Sequence, residues 1–387
     1  MTSQRTALPV PKFTDGTGIV SWIHFGDLHM TTRQEQNGRD FLSLIEEVNG
    51  GMADSLNFAY LPGDNAEHGK REEYEVVRES LDRLRVPWFA IVGDHDVHSR
   101  SHANFLQYPM PMAFYSFQVG RCRFLALDCF AADDPKAFDL SAEQLGWLRS
   151  ELALARAANK ICVLLLHCYP SELGDSSSAL RHLIHNHDVL LVDMGHTHYN
   201  EVAQDGRTQY PATRSTGQIE KGSVGLSVTN IDEGIVSWKF KPLGEWPFVM
   251  ITSPADERLR THHQAKLSTS PERMKILVKA WSDQKLTGGF ASMRDQTVPL
   301  VAVSGSSIWE AEFGAHDSHE GGQELTVEMA DEAGRGGRDI VRINLGRSIV
   351  RMTPARPERD MDNAIGAWPE RGILGTQLGP NKNGRRW

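Results

Sequence analysis

No apolar run in the 387-residue chain approaches the roughly 18 residues that a membrane-spanning helix needs, so no membrane partner is expected. Positive charge is not in excess either. The formal net charge of −9 argues against non-specific binding to nucleic-acid backbones, and no nucleic-acid polymer is expected as a partner. Cysteine is scarce: Cys122, Cys129, Cys162 and Cys168 lie in or near apolar, strand-like segments and show no CxxC spacing. They read as reduced core residues rather than a disulfide framework. The opening stretch MTSQRTALPVPKFTDGTG has no basic region leading into an apolar stretch and a small-residue cleavage site, so a cytoplasmic location is expected. No internal repeat is visible. If the substrate is an anion, local positive charge must come from elsewhere, and bound metal ions are the obvious supplier.

What is present is an ordinary globular composition, 40% hydrophobic and 24% charged, over a length that suits a large domain and a smaller one. From residue 18 to about 240, β-rich apolar runs (18–25, 56–61, 86–92, 123–128, 161–166, 189–194) alternate with helical patterns (41–48, 72–85, 141–157). That alternation predicts an α/β fold with buried strands. Ser141 and Gln144 predict a capping box at the start of the last helix. Residues 201–241 switch to glycine-punctuated strands, expected as antiparallel hairpins at a sheet edge. PLGEWP (242–247) marks a boundary, and the short β-patterned runs beyond it predict a small all-β sandwich. The expected organisation is an N-terminal extension (1–17), a catalytic-type domain (18–246), a β-sandwich (247–350) and a C-terminal tail (351–387). Because the tail keeps Trp368, Ile373, Leu374 and Trp387, it is expected to wrap over the protein or sit at a subunit interface.

The chemistry lies where the apolar runs stop. HFGDLH supplies Asp27 and His29, YLPGDNAEH supplies Asp64, IVGDHD supplies Asp94, His95 and Asp96, LLLHC supplies His167, and DMGHTH supplies His196 and His198. Each piece alone has a bland reading: Gly-Asp is a common turn, and a lone histidine is more often a satisfied core residue than a ligand. Together they place metal-ligand residues at five strand ends, and in an open α/β sheet those ends converge on one site. Mixed carboxylate and imidazole ligands suit Mn, Fe, Zn or Co, and the lack of cysteine at these ends disfavours a structural zinc. Seven candidates are more than one ion can use, so two ions sharing one carboxylate fit better.

The ordered set GDLH, GDNAEHG, GDHD, H and GHTH resembles the calcineurin-like metallophosphoesterase superfamily over roughly residues 18–244. Within it the bacterial class III cyclic-nucleotide phosphodiesterases and glycerophosphodiesterases are the nearest branch, with FLALD before LSAEQLGWL in support. The resemblance implies an αββα sandwich and a binuclear centre holding Mn or Fe first, with Zn or Co as alternatives. It further implies a first metal on Asp27, His29, Asp64 and His198, and a second on Asp64, Asp94, His167 and His196. His95 would assist at the leaving group and Asp96 would orient it. The implied reaction is hydrolysis of a small-molecule phosphodiester by in-line attack of a metal-bridging hydroxide.

One position departs from the pattern: Asp94 stands where the superfamily normally has Asn. The extra carboxylate either favours a trivalent ion in the second site, suits substrates of low charge such as diesters, or simply replaces a near-isosteric amide. Cys168, after His167, is expected as a buried spectator. Asn65, His68 and Tyr199 are the candidate substrate contacts. Two other functions stay open, a phosphomonoesterase of the same fold and a non-catalytic metal-binding scaffold or sensor. Self-association through the β-sandwich or the tail is the expected oligomeric role.

Overall fold

The computed structural model describes residues 8–11, 18–98, 100–131, 134, 136–218, 222–261, 273–314, 322–344 and 365–367. The first region runs β1 (Val20–Phe25), α1 (Gln36–Gly51), β2 (Phe58–Leu61), α2 (Arg71–Leu81), β3 (Trp88–Ala90), α3 (Ala103–Gln107), β4 (Tyr115–Val119) and β5 (Cys122–Ala126). It continues with α4 (Ala142–Ala157), β6 (Ile161–Leu166), α5 (Ser177–Asn186), β7 (Leu191–Met194), β8 (Glu201–Gln204), β9 (Gln209–Ala212), β10 (Gly225–Asp232) and β11 (Ile235–Pro242). One sheet has the order β11-β10-β1-β2-β3, and a second contains β8-β9-β7-β6-β5-β4. β1, β2 and β3 pair in parallel, as do β5, β6 and β7. The glycine-punctuated stretch therefore divides: β10 and β11 extend the first sheet as an antiparallel hairpin, while β8 and β9 extend the second.

Residue alternation along β1 explains its continuous apolar character. Trp22 faces the second sheet, with its ring 5.3 Å from Phe124 of β5 and edge-on to it. Phe25 faces the other way, edge-on to Phe41 of α1 at 5.2 Å. Both faces are covered, so both must be apolar. Phe58, Phe117 and Phe124 complete an aromatic seam between the sheets, each such pair contributing about 0.5–1.5 kcal/mol beyond its buried area. One polar device crosses the same seam: Asp193 of β7 accepts from Trp22 Nε1 at 2.8 Å and meets His24 Nδ1 at 2.7 Å, all three fully buried.

α5 carries a weak sequence signal, since its apolar face is only Leu180, Leu183 and Ile184, amid three histidines of the segment up to residue 187. Half of the capping box forms. Ser141 Oγ accepts from the Gln144 amide at 3.1 Å, but the Gln144 side chain spans instead to the backbone of Asp128, accepting from its N–H at 2.8 Å and donating to its carbonyl at 2.7 Å.

The second region holds β12 (Phe248–Ser253), β13 (Met274–Trp281), β14 (Leu286–Met293), β15 (Gln296–Pro299), β16 (Val301–Ala302), β17 (Ile308–Phe313), β18 (Gly322–Asp331) and β19 (Gly336–Asn344). Two antiparallel four-stranded sheets, β12-β13-β17-β16 and β15-β14-β18-β19, enclose a core including Ile276, Val278, Phe313, Leu325 and Val327. It meets the first region at strand starts. Lys279 Nζ donates to Ser21 Oγ at 2.7 Å, at the entry to β1, and Trp281 Nε1 donates to Ser55 Oγ just before β2. Of the tail, Ile365–Ala367 forms β20, parallel to β8; the other residues of that stretch, and most of the N-terminal extension, lie outside the described residues.

Candidate metal centre

All seven candidate ligands follow the carboxyl ends of strands: Asp27 and His29 after β1, Asp64 after β2, Asp94 after β3, His167 after β6, and His196 and His198 after β7. The parallel pairing delivers them to one side. Four of them bend the backbone sharply, with positive φ at His29 (44°), Asp64 (49°), His196 (65°) and His198 (60°). A side chain in that conformation costs on the order of 1 kcal/mol or more, so the surrounding packing over-determines these turns. The glycines beside them admit close approach: a Cβ on Gly93 would run into the Asp64 amide and carboxylate, and one on Gly63 into the His167 ring.

The donor atoms form two groups. Asp27, His29, Asp64 and His198 make the first, and Asp94, His167 and His196 the second. In the first, His198 Nε2 lies 3.2 Å from Asp27 Oδ2 and 3.0 Å from His29 Nε2, which is 3.5 Å from Asp64 Oδ2. In the second, Asp94 Oδ1 lies 3.1 Å from His167 Nε2 and 3.3 Å from His196 Nδ1. Asp64 stands between them, since its other oxygen, Oδ1, is 3.6 Å from His167 Nε2. The outer nitrogens are braced: His29 Nδ1 meets Glu67 Oε2 at 3.1 Å, and His167 Nδ1 meets the Pro62 carbonyl at 2.8 Å. Such partners fix ring orientation in metal sites.

This donor set fits divalent cations. Asp27 Oδ1 is buried with no hydrogen-bond partner among the described residues, and burial of an unpaired carboxylate oxygen is costly. Burial, then the charges of Asp94, Asp27 and Asp96, push Asp64 well above the ordinary carboxylate range, so the cluster is short of positive charge. Burial also opposes ionisation of Asp94, but the hydrogen bonds from His167 and His196 outweigh it and hold the group well below its usual range. Burial, followed by the charges of His95 and His198, pushes His29 well below its usual value, toward the neutral form that ligates.

His95 and Asp96 do not form the expected pair. The Asp96 carboxylate instead accepts from five donors: Ala66 N (3.1 Å) and Tyr74 Oη (2.7 Å) at Oδ1, and Asn65 N (3.2 Å), Asn65 Nδ2 (2.9 Å) and Gly93 N (2.9 Å) at Oδ2. It ties the loop after β2 to the loop after β3. His95 is aimed by the backbone: Nδ1 lies 2.9 Å from the Glu67 carbonyl, which can only accept, so Nδ1 carries the hydrogen and Nε2 is left facing Asp94 Oδ2 at 3.9 Å. The physical reason is local. Residues His95–Val97 form a 3-10 turn, in which neighbouring side chains point about 120° apart.

The candidate substrate contacts also separate. Asn65 is completely buried, its amide donating to the Ile91 carbonyl at 2.9 Å as well as to Asp96, so it is a brace rather than a substrate contact. His68 is exposed and pairs with Glu73 Oε1 at 2.9 Å, and Tyr199 is half-buried beside His198. Cys168 is fully buried, and burial, then the Cys129 thiol beside it, pushes its own thiol well up. Two further carboxylates border the centre: Glu67, which follows Asp64 closely in sequence and also accepts from Gln218 Nε2 at 3.1 Å, and Glu172, which no sequence motif marks and whose Oε1 is 3.8 Å from His196 Nε2.

Residues 21–200 match the family model of the calcineurin-like phosphoesterases. A probable cyclic nucleotide phosphodiesterase of Synechococcus sp. is 28% identical over 209 residues, covering 50% of this chain and 75% of the relative. A 3',5'-cyclic-nucleotide phosphodiesterase of Nostoc sp. is 24% identical over 244 residues, covering 59% and 90%. The glycerophosphodiester phosphodiesterase GpdQ of Enterobacter lignolyticus is 27% identical over 173 residues, covering 40% and 58%. Among solved structures, a dimetal phosphatase of Danio rerio shares the fold at a TM-score of 0.50 and 14% identity, covering 58% of this chain and 97% of that one. The match to the phosphoesterase model and the phosphodiesterase-named relatives support a metal-dependent phosphoesterase, and that family uses divalent metals. Its two-sheet α/β region is followed by the β-rich region of β12–β19.

Proposed function

We propose that the chain hydrolyses small-molecule phosphodiesters at a centre of two divalent cations, Mn or Fe first. The observation that carries this is Asp64, whose two oxygens face two separate ligand groups. Asp27, His29 and His198 would complete one site, and Asp94, His167 and His196 the other. Divalent ions bound there would lower the pKa of water and withdraw charge from the phosphoryl oxygens. His95, with Nδ1 on the Glu67 carbonyl, takes up a proton at Nε2 and passes it to the departing oxygen. Asp96, Asn65 and Tyr74 hold the two loops in place. His68 and Tyr199 remain the candidate contacts to the rest of the substrate.

Charge favours diesters. Three ionised aspartates contribute −3 against +4 from two divalent ions, leaving +1, and a bridging hydroxide would bring the sum to zero; a core of that low charge attracts anions weakly, which suits a diester monoanion better than a monoester dianion, and a ferric ion in the second site would shift the balance by one. The gap between β11, ending at Pro242, and β12, starting at Phe248, supports a division between domains 18–246 and 247–350, and four buried, free cysteines support a cytoplasmic setting. The test is turnover of aryl diester and aryl monoester substrates, with a panel of cyclic nucleotides and glycerophosphodiesters, on protein loaded with Mn, Fe, Co or Zn. Diesters are expected to show the higher kcat/KM. A preference for monoesters with divalent metal would defeat the diester reading, and no hydrolysis of any ester by loaded protein would favour a metal-binding scaffold.

A further inference from the structure

We propose that the mouth of this centre carries a third, outer cation site on Asp94, His95 and His98, suited to zinc, copper or nickel, whose filling blocks the enzyme. The donor atoms of these three residues lie within 4.8 Å of one another. Asp94 is shared by opposite oxygens: Oδ1 faces His167 and His196, while Oδ2 faces His95 Nε2 at 3.9 Å. The His95 and His98 rings are 4.3 Å apart at a tilt of 35°, and His98 is exposed. Bonds to zinc run about 2.0–2.2 Å, so the group must tighten, and exposed His98 has the freedom to turn inward. Two imidazoles and one carboxylate oxygen, with water completing the shell, form a donor set preferred by borderline transition metals over magnesium or calcium.

The carboxylate at position 94 is what makes sharing feasible. An amide presenting its oxygen to the inner group would turn an N–H₂ donor toward the outer one, where no cation could bind it. An ion on His95 Nε2 removes the atom that handles the proton, so the blocking effect rests on the role proposed for His95 above. The binding site itself does not.

The experiment is equilibrium dialysis of the 387-residue chain against rising free zinc, read by elemental analysis, alongside diester turnover in the same samples. Wild type is expected to hold two zinc ions per chain at low free zinc and three at high, with activity falling about tenfold or more as the third binds. His98→Ala is expected to stop at two, keep the activity of the two-zinc form and escape the fall. Asp94→Asn is also expected to lose the third ion, read by stoichiometry alone. A wild type that saturates at two, or a His98→Ala chain that still takes up a third with unchanged affinity, overturns the outer site. A third ion that depends on His98 but leaves turnover unaffected upholds the site and overturns its blocking role, and with it the proton-handling role of His95. If the two-zinc form is inactive, turnover is read on manganese-loaded protein titrated with zinc, with the same expected fall, and inactivity with manganese, iron and cobalt as well overturns the hydrolase reading instead.

Discussion

In β1 every residue from Val20 to Phe25 is buried, whereas along β18 burial alternates residue by residue from Leu325 to Asp331. The first pattern belongs to a strand covered on both faces, the second to a sheet with one dry face and one wet one. The difference bears directly on chemistry. A double-covered strand releases its last residues into a space already stripped of water, where carboxylates and imidazoles are forced to pair or to hold ions. A half-wet sheet lets its charges stay hydrated. Accordingly, every potential metal-holding group among the described residues lies in the first region. The second region still buries charge, but each of its buried carboxylates Asp256, Glu257, Asp331 and Asp339 meets a Lys or Arg: Asp339 takes Lys239 Nζ at 2.8 Å and the Ile251 amide at 2.7 Å.

The comparison breaks most sharply at Asp64. Asp64→Ala removes the one carboxylate placed between both ligand groups, so metal content should fall for both sites and kcat/KM should drop by at least about 100-fold. Elemental analysis with steady-state kinetics checks it. Full metal retention would mean that Asp64 does not join the sites.

A cut of similar size in rate, but not in metal, is expected from His95→Ala. Loss of a positioned acid or base typically costs about 10²–10⁴ in rate. Here kcat should fall within that range while two metal ions per chain are retained and KM moves little. Loss of metal together with rate would recast His95 as a ligand.

Asp96→Ala should act through the scaffold. Five donors lose their acceptor, each buried unsatisfied group costing about 1–3 kcal/mol before relaxation, so a loss of at least about 3 kcal/mol in unfolding free energy is expected. Denaturant unfolding measures it. If Asp96 aimed His95 instead, stability would hold and the pH profile of kcat would shift.

The order of the ligands along the chain was legible because strand ends and ligand chemistry are both written locally: an apolar run stops, and Asp or His follows. Direction was not. His95 and Asp96 are neighbours in sequence, yet the 3-10 turn sends one toward the ligand groups and the other back into the loops, and no spacing rule distinguishes that from a catalytic pair. Glu67 and Gln218 meet across 151 positions, a contact only the fold can create. The alternating strands of the second region were readable as a sandwich, but its docking was not, because Lys279 reads as a surface residue until Ser21 and the neighbouring Trp281 ring enclose it.

The smallest expected effect lies in that second region. Asp339→Ala leaves the Ile251 amide without its acceptor and removes one of three acceptors around Lys239 Nζ, the other two being the Val249 and Arg338 carbonyls. Because those carbonyls still hold the ammonium, the cost should stay near 1–3 kcal/mol, below that of Asp96→Ala. Turnover and metal content should match wild type, since the contacts of Lys279 and Trp281 with the first region fall at the starts of β1 and β2, away from the strand ends that carry the ligands. A buried carboxylate would then matter for stability alone in one region and for chemistry in the other. A change in KM on Asp339→Ala, with stability intact, would instead give the β-sandwich a part in reaching the substrate.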